Sequence, residues 1–83
     1  MHASEIVPLL TRRPFEPFSL QMSDGVTYEI RHPDQVLLTP RALHVGMWPQ
    51  SKPFLVQEVV ICDFVHITRL GPAVKRQPRR RAG

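Results

Sequence analysis

The sequence lacks most of the covalent features that stabilise or identify small proteins. It contains one cysteine and four histidines in 83 residues, and the histidines have no close pairing along the chain. A single cysteine cannot form a disulfide within the chain, and a zinc site needs about four cysteine or histidine ligands. The composition therefore predicts no metal site. A chain this short has a small hydrophobic core, so we expect additional stability to come from association into a homo-oligomer.

Long apolar runs and targeting signals are also missing. No stretch approaches the roughly 18 apolar residues that cross a bilayer, and the first residues lack the basic and apolar regions of a secretory signal. A chain with one cysteine and no such signal is expected in the cytoplasm, without a membrane partner.

The sequence contains none of the patterns typical of a catalytic centre. It has no glycine-rich phosphate loop and no Ser-His-Asp set in a strand–turn–helix context. Cys62 lies in an apolar run without a cation that would activate it, so we expect a buried structural thiol, and we expect Asp63 to cap a turn. We predict that the protein is not an enzyme and needs no cofactor or small-molecule substrate.

Positive charge is concentrated at one end of the chain. Of eleven basic residues, five follow Gly71-Pro72, where no acidic residue occurs: Lys75, Arg76, Arg79, Arg80 and Arg81. The remaining six face seven acidic residues, so the rest of the chain carries a net charge of −1. We therefore divide the chain into a single folded domain, residues 1–72, and a basic tail, residues 73–83, that has too few apolar residues to fold alone.

The first segment has helical periodicity. Ile6, Leu9 and Leu10 have the i, i+3, i+4 spacing of one helix face, and Ser4 is a candidate cap. Proline is tolerated only in the first turn, so Pro8 requires a start near Ser4. We predict a short helix over residues 4–13.

The chain then changes to the period of two that is typical of strands. Two alternating segments, residues 18–22 and 26–30, flank the turn dipeptide Asp24-Gly25, which predicts a β-hairpin. His32-Pro33-Asp34 follows a strand rather than a long helix, which favours a proline bend over the His-Pro-Asp loop of J-domain co-chaperones.

Further strands are expected at residues 42–48 and, with a bend at Cys62-Asp63, in two segments of residues 54–70. The predicted fold class is mainly β with one N-terminal helix, as a small five-stranded antiparallel barrel of the Sm-like or SH3-like kind. An open sheet carrying the helix on one face is the alternative.

The motifs resemble those of a family of short bacterial proteins without an assigned activity. The shared features are the Pro14-Phe15-Glu16-Pro17-Phe18 opening, the Asp24-Gly25 hairpin, the His32-Pro33 pair and a final β segment ending in an apolar-Thr-x-Leu pattern. The resemblance covers approximately residues 6–70.

The order of elements is also similar to that of Sm-like proteins, including the bacterial Hfq group. Asp34-Gln35 lies near the position of that group's acidic-Gln pair, and His66 lies near its basic-His pair. This resemblance implies a ring of subunits joined through strand edges, with RNA bases near the pore.

We therefore expect a self-associating module that binds RNA or another nucleic acid. Trp48 and His66 are the candidates for close contacts, and the tail residues Lys75, Arg76, Arg79, Arg80 and Arg81 for electrostatic affinity. The alternative is a structural or protein–protein interaction module in which the tail is incidental.

Overall fold

The computed structural model describes residues 1–73 and shows one helix followed by six short strands. The elements are α1 (Ala3–Thr11), β1 (Phe18–Met22), β2 (Thr27–Ile30), β3 (Val36–Leu38), β4 (Ala42–Met47), β5 (Glu58–Asp63) and β6 (Ile67–Pro72). Short 3₁₀ turns at Pro33–Gln35 and Phe64–His66 precede β3 and β6. The mainly β fold with an N-terminal helix is confirmed. Within the described residues, no helix is long and apolar enough to cross a membrane.

The strands form two antiparallel three-stranded sheets, in the orders β2-β1-β6 and β3-β4-β5. The structure differs here from the predicted five-stranded closed barrel. Pro33 cannot donate a ladder hydrogen bond, so the second predicted strand stops at Ile30 and the chain resumes as β3 in the other sheet. Likewise, the turn after Asp63 sends the chain from β5 to β6, which pairs with β1.

The hairpin prediction is confirmed in detail. β1 pairs with β2 from Phe18↔Ile30 to Gln21↔Thr27. Gly25 has φ 91°, a conformation that glycine adopts without strain, and the Asp24 carboxylate accepts a hydrogen bond of 2.9 Å from the Val26 N–H.

The helix lies close to its predicted position but begins differently. His2, not Ser4, is the residue that precedes the first turn, and its side chain makes no capping hydrogen bond. Pro8 therefore lies inside α1 rather than in its first turn. Burial of Ile6, which is fully inaccessible to solvent, ties the helix to the core and compensates for the weak start.

The core lies between the two sheets and the helix. Its buried members are Ile6, Phe18, Leu20, Ile30, Leu43, Val45, Cys62, Phe64 and Ile67. They come from α1, from the second 3₁₀ turn and from five strands, namely β1, β2, β4, β5 and β6. Each sheet therefore contributes one apolar face to the core.

Gln35 holds the bend that joins the two sheets. Its side chain is 9% exposed; Oε1 accepts a hydrogen bond from the Arg31 N–H at 2.9 Å, and Nε2 donates to the Glu29 carbonyl at 3.3 Å. These bonds satisfy backbone groups where the β2 ladder stops. The side chain that resembles the Gln of the Sm-like pair is thus used within the fold.

Candidate functional site

Three aromatic rings from separate segments meet at one end of the molecule. His32 follows β2, Trp48 follows β4, and Phe54 lies in the loop before β5. Their ring centroids are 5.9 Å apart for His32–Trp48, 5.2 Å for His32–Phe54 and 5.1 Å for Trp48–Phe54. We refer to these three residues as the aromatic cluster.

Phe54 is the member of the cluster that lies in a strained and exposed loop position. It is 60% exposed, and its φ of 67° makes it the one non-glycine residue of positive φ within residues 1–73. A bulky residue in this region of backbone space costs on the order of 1–2 kcal/mol. The ring lies close to those of Trp48 and His32, and its high exposure leaves part of it accessible to a ligand.

An open cleft of about 390 Å³ adjoins the cluster. His32 and Trp48 form part of its wall, and Glu29 and Arg31 contribute an ion pair that is partly exposed. The cleft therefore combines aromatic surface with charged groups of both signs.

The chain leaves the described part of the protein at the same end. Phe18 of β1 pairs with Ile30 of β2 on one side and with Pro72 of β6 on the other. Two strand spacings, about 10 Å, thus separate Pro72 from Ile30, and His32 is two residues further along. The five predicted tail residues, Lys75, Arg76, Arg79, Arg80 and Arg81, lie outside the described residues.

His66 lies at the opposite end of the molecule from Trp48. In the β4–β5 register, Met47 pairs with Glu58 at the Trp48 end, and Ala42 pairs with Asp63 at the end where His66 follows. Six residues of strand separate these ends by about 20 Å. The structure therefore does not bring the two predicted contact residues into one site.

His66 instead joins the second 3₁₀ turn to the β1–β2 hairpin. Its carbonyl accepts a hydrogen bond of 2.7 Å from the Ser23 N–H, and its Nδ1 lies 3.3 Å from Ser23 Oγ. These contacts give it a local structural role. His32 and Phe54 were not among the predicted site residues, because an aromatic residue in so small a domain is more often needed for the core and His32 was interpreted as part of a proline bend.

A second surface feature is an apolar patch on the outer face of the sheet β3-β4-β5. We refer to Leu37, Val56, Val59 and Ile61 as the outer patch. Leu37 of β3 and Ile61 of β5 both pair with His44 of β4. Val59 pairs with Gly46, and the side chain of Val56 lies against the same glycine. Exposures of 69% for Leu37, 59% for Val59 and 65% for Ile61 are high for aliphatic side chains in strands.

Cys62 and Asp63 have the structural roles expected from the sequence. Cys62 is fully buried, and the Asp63 carboxylate accepts a hydrogen bond of 3.1 Å from the Val65 N–H. Burial raises the pKa of the Cys62 thiol, and the negative charge of Asp24 raises it further. A thiol in this environment stays protonated at neutral pH.

We expect the raised Cys62 pKa to make the protein less stable in alkali. In the unfolded chain the Cys62 thiol ionises at about pH 8.5, whereas in the folded protein it ionises at a higher pH. The free energy of unfolding is therefore constant below about pH 8.5 and decreases as the pH rises toward the folded pKa. Because one proton is involved, the free energy of unfolding should decrease by at most about 1.4 kcal/mol per pH unit.

Urea unfolding followed by Trp48 fluorescence measures this decrease. Burial also raises the Tyr28 pKa, above its ordinary value of 10.0, so readings below that pH isolate Cys62.

The Cys62→Ala variant is the control for this prediction. It should be less stable than the natural protein at neutral pH, because a buried side chain is shortened, but its stability should not change between about pH 7.5 and pH 9.5. An equal alkaline slope in both proteins would contradict the assignment to Cys62.

Comparison of the chain with protein-family models, with curated proteins and with solved structures gave no significant match.

Proposed function

We propose that the protein is a non-enzymatic module that binds single-stranded RNA at the aromatic cluster. The observation that carries this proposal is the position of the cluster at the end from which the basic tail departs. Aromatic rings provide stacking surfaces for bases, and arginine and lysine neutralise phosphates, which together are the usual requirements for binding single strands.

The basic tail is long enough to reach the aromatic cluster. Residues 74–83 can span at most about 35 Å when extended, and the cluster lies within roughly 20 Å of Pro72 along the sheet edge. The domain itself has a net charge of −1, so the tail supplies the electrostatic attraction and the cluster supplies short-range contacts. Of the residues predicted from sequence, Trp48 and the tail belong to this proposed site, and His66 does not.

Strand order supports a relationship to Sm-like and SH3-like barrels. If β2 and β3 are counted as one strand bent at Pro33, the two sheets join in the order β6-β1-(β2/β3)-β4-β5. A helix followed by five strongly bent strands, the second of them with a bend, is the order of elements that the resemblance to the Sm-like family implies. We propose that relationship for the architecture, with a different surface used for RNA.

Replacement of Phe54 tests the stacking site. We expect Phe54→Ala to weaken binding of a short fluorescent oligouridine about 5- to 150-fold, the effect of losing one stacked base. Phe54→Trp should restore binding. Leu55→Ala is the matched control, since Leu55 is a neighbouring loop residue with 56% exposure and no ring. Fluorescence anisotropy at constant salt gives the affinities.

Phe54→Gly separates binding from stability. Glycine adopts positive φ without strain, so this variant should unfold at the same or higher urea concentration while it binds RNA as weakly as Phe54→Ala. A loss of stability with unchanged RNA affinity would show that Phe54 only holds the loop, and would overturn the proposed site.

The outer patch supports a second candidate function, that of a protein–protein interaction module. A group of exposed aliphatic side chains on one sheet face is typical of a surface that contacts another protein. If the natural protein does not bind oligouridine even at low salt, this second function becomes the preferred one.

A further inference from the structure

We propose that the outer patch and the free edge of β5 bind a second copy of this chain, with the two β5 strands antiparallel about a two-fold axis. This inference does not depend on RNA binding, because it uses a sheet face and an edge rather than the aromatic cluster.

The edge of β5 lacks the features that prevent strand pairing. Within the described residues, β5 pairs only with β4, so its other edge has unpaired backbone groups. Its four central residues, 59–62, contain no charge and no proline. Natural edge strands are usually protected by charged residues, prolines or bulges, and β6 has Arg69 and Pro72. β5 is therefore the edge suited to another strand.

The exposed face of the sheet favours the same contact. Leu37, His44 and Ile61 form one row across β3, β4 and β5, and the outer ends of that row are apolar. Pairing at the β5 edge would continue the row into the partner and bring two outer patches side by side. Burial of apolar area at about 25 cal/mol per Å² then drives association.

Side-chain alternation restricts the register, and among the allowed antiparallel registers the proposed one is centred on Val60, in the middle of β5. Residues opposite each other must lie on the same sheet face, so odd positions of β5 face odd positions of the partner. An axis through Val60 places Val59 opposite Ile61 of the partner subunit, and Gln57 opposite Asp63 of the partner subunit. No carboxylate then faces another. A parallel in-register pair would place Glu58 opposite Glu58 of the partner subunit, which is destabilising.

The oligomeric state of the full chain tests the surface. Light scattering coupled to size exclusion should show a dimer for the natural protein, and Ile61→Lys should raise the dimer dissociation constant at least about tenfold, the effect of 1.4 kcal/mol. Val65→Lys is the matched control, because Val65 is 76% exposed but lies in the 3₁₀ turn outside the sheet. It should remain a dimer, and circular dichroism should show both variants folded.

A cross-linking experiment tests the register. Val59→Cys mixed with Ile61→Cys should form a disulfide-linked dimer on mild oxidation, because these positions face each other across the axis, while each variant alone should cross-link much less. The native Cys62 is buried and provides the common background. Efficient cross-linking of either variant alone would place that residue at the axis and overturn the register centred on Val60.

Three other results would overturn the proposal. The first is a natural protein that is monomeric at all concentrations tested. The second is a monomer that dimerises only after residues 74–83 are removed, since the tail would then be the occupant of this surface. A dimer unaffected by Ile61→Lys would likewise place the interface elsewhere.

Discussion

Removal of residues 74–83 should weaken RNA binding by a factor on the order of 10² to 10⁴ at low ionic strength. The deletion removes five of the eleven basic residues and leaves a domain with a net charge of −1. Each phosphate that a cation neutralises releases counterions, and for single strands the slope of log affinity against log salt is about −0.7 per contact. If all five cations make contacts, the slope should become shallower by about 3.5.

The affinity of a fluorescent oligouridine should be measured at several salt concentrations for the natural and shortened proteins. A variant with the same tail residues in scrambled order is the matched control, since counterion release does not depend on sequence, and it should bind normally. Equal affinities of the natural and shortened proteins at low salt would show that the tail plays no part. Loss of binding in the scrambled variant would instead indicate specific tail contacts.

The second large effect expected is on stability, from Phe18→Ala. Phe18 lies at the start of β1, where it pairs with both β2 and β6; it is 1% exposed, and its ring packs edge-on against Phe15 at 6.2 Å. Truncation of a buried phenylalanine costs about 3–5 kcal/mol. A folded domain of residues 1–72 is stable by roughly 4–11 kcal/mol, so the variant should lose a large fraction of its free energy of unfolding.

Urea unfolding monitored by Trp48 fluorescence measures this loss. Phe54→Ala is the matched control because it removes the same ring from an exposed position, and it should cost far less stability. Phe18→Leu should lose about 1.5 kcal/mol or less, since the volume is largely kept. If Phe54→Ala were the more destabilising of the two alanine variants, the core would not be centred between the sheets.

The two proposed surfaces lie on different parts of the molecule and can operate together. The aromatic cluster is at the end where β1 begins and β6 ends, while the outer patch covers one face of β3-β4-β5. In a two-fold dimer, each protomer would retain its own cluster and its own tail. Two linked RNA sites would raise affinity for strands long enough to reach both.

Local elements could be predicted well because neighbouring residues determine them. Alternation of apolar and polar residues predicted β1, β2 and β4 to within one residue at each end, and Asp24-Gly25 predicted the turn between the first two. The helix was predicted one or two residues late, because the start at His2 has no side-chain cap to mark it.

The candidate site could be predicted only in part. Trp48 was identified because it ends a strand on the face opposite to the apolar side chains, which is a local feature. Its neighbours were not, because His32 and Phe54 approach it only when the Pro33–Gln35 turn and the loop before β5 have folded. His66 looked equivalent to Trp48 in the sequence, but the antiparallel pairing of β4 with β5 sends it to the other end.

Local patterns along the chain were sufficient to predict the mainly β fold, the hairpin and the bend at Pro33, and the sequence alone shows that five of the eleven basic residues follow Pro72. These properties depend on periodicity, backbone restrictions and charge, which act over a few residues. Three features became visible only in the folded chain: six strands form two sheets, three aromatic rings meet, and Leu37 and Ile61 share an exposed row. These features depend on pairing between strands that are far apart in the sequence. The free energy of such pairing depends on both strands and on their surroundings, so it cannot be predicted from one segment alone.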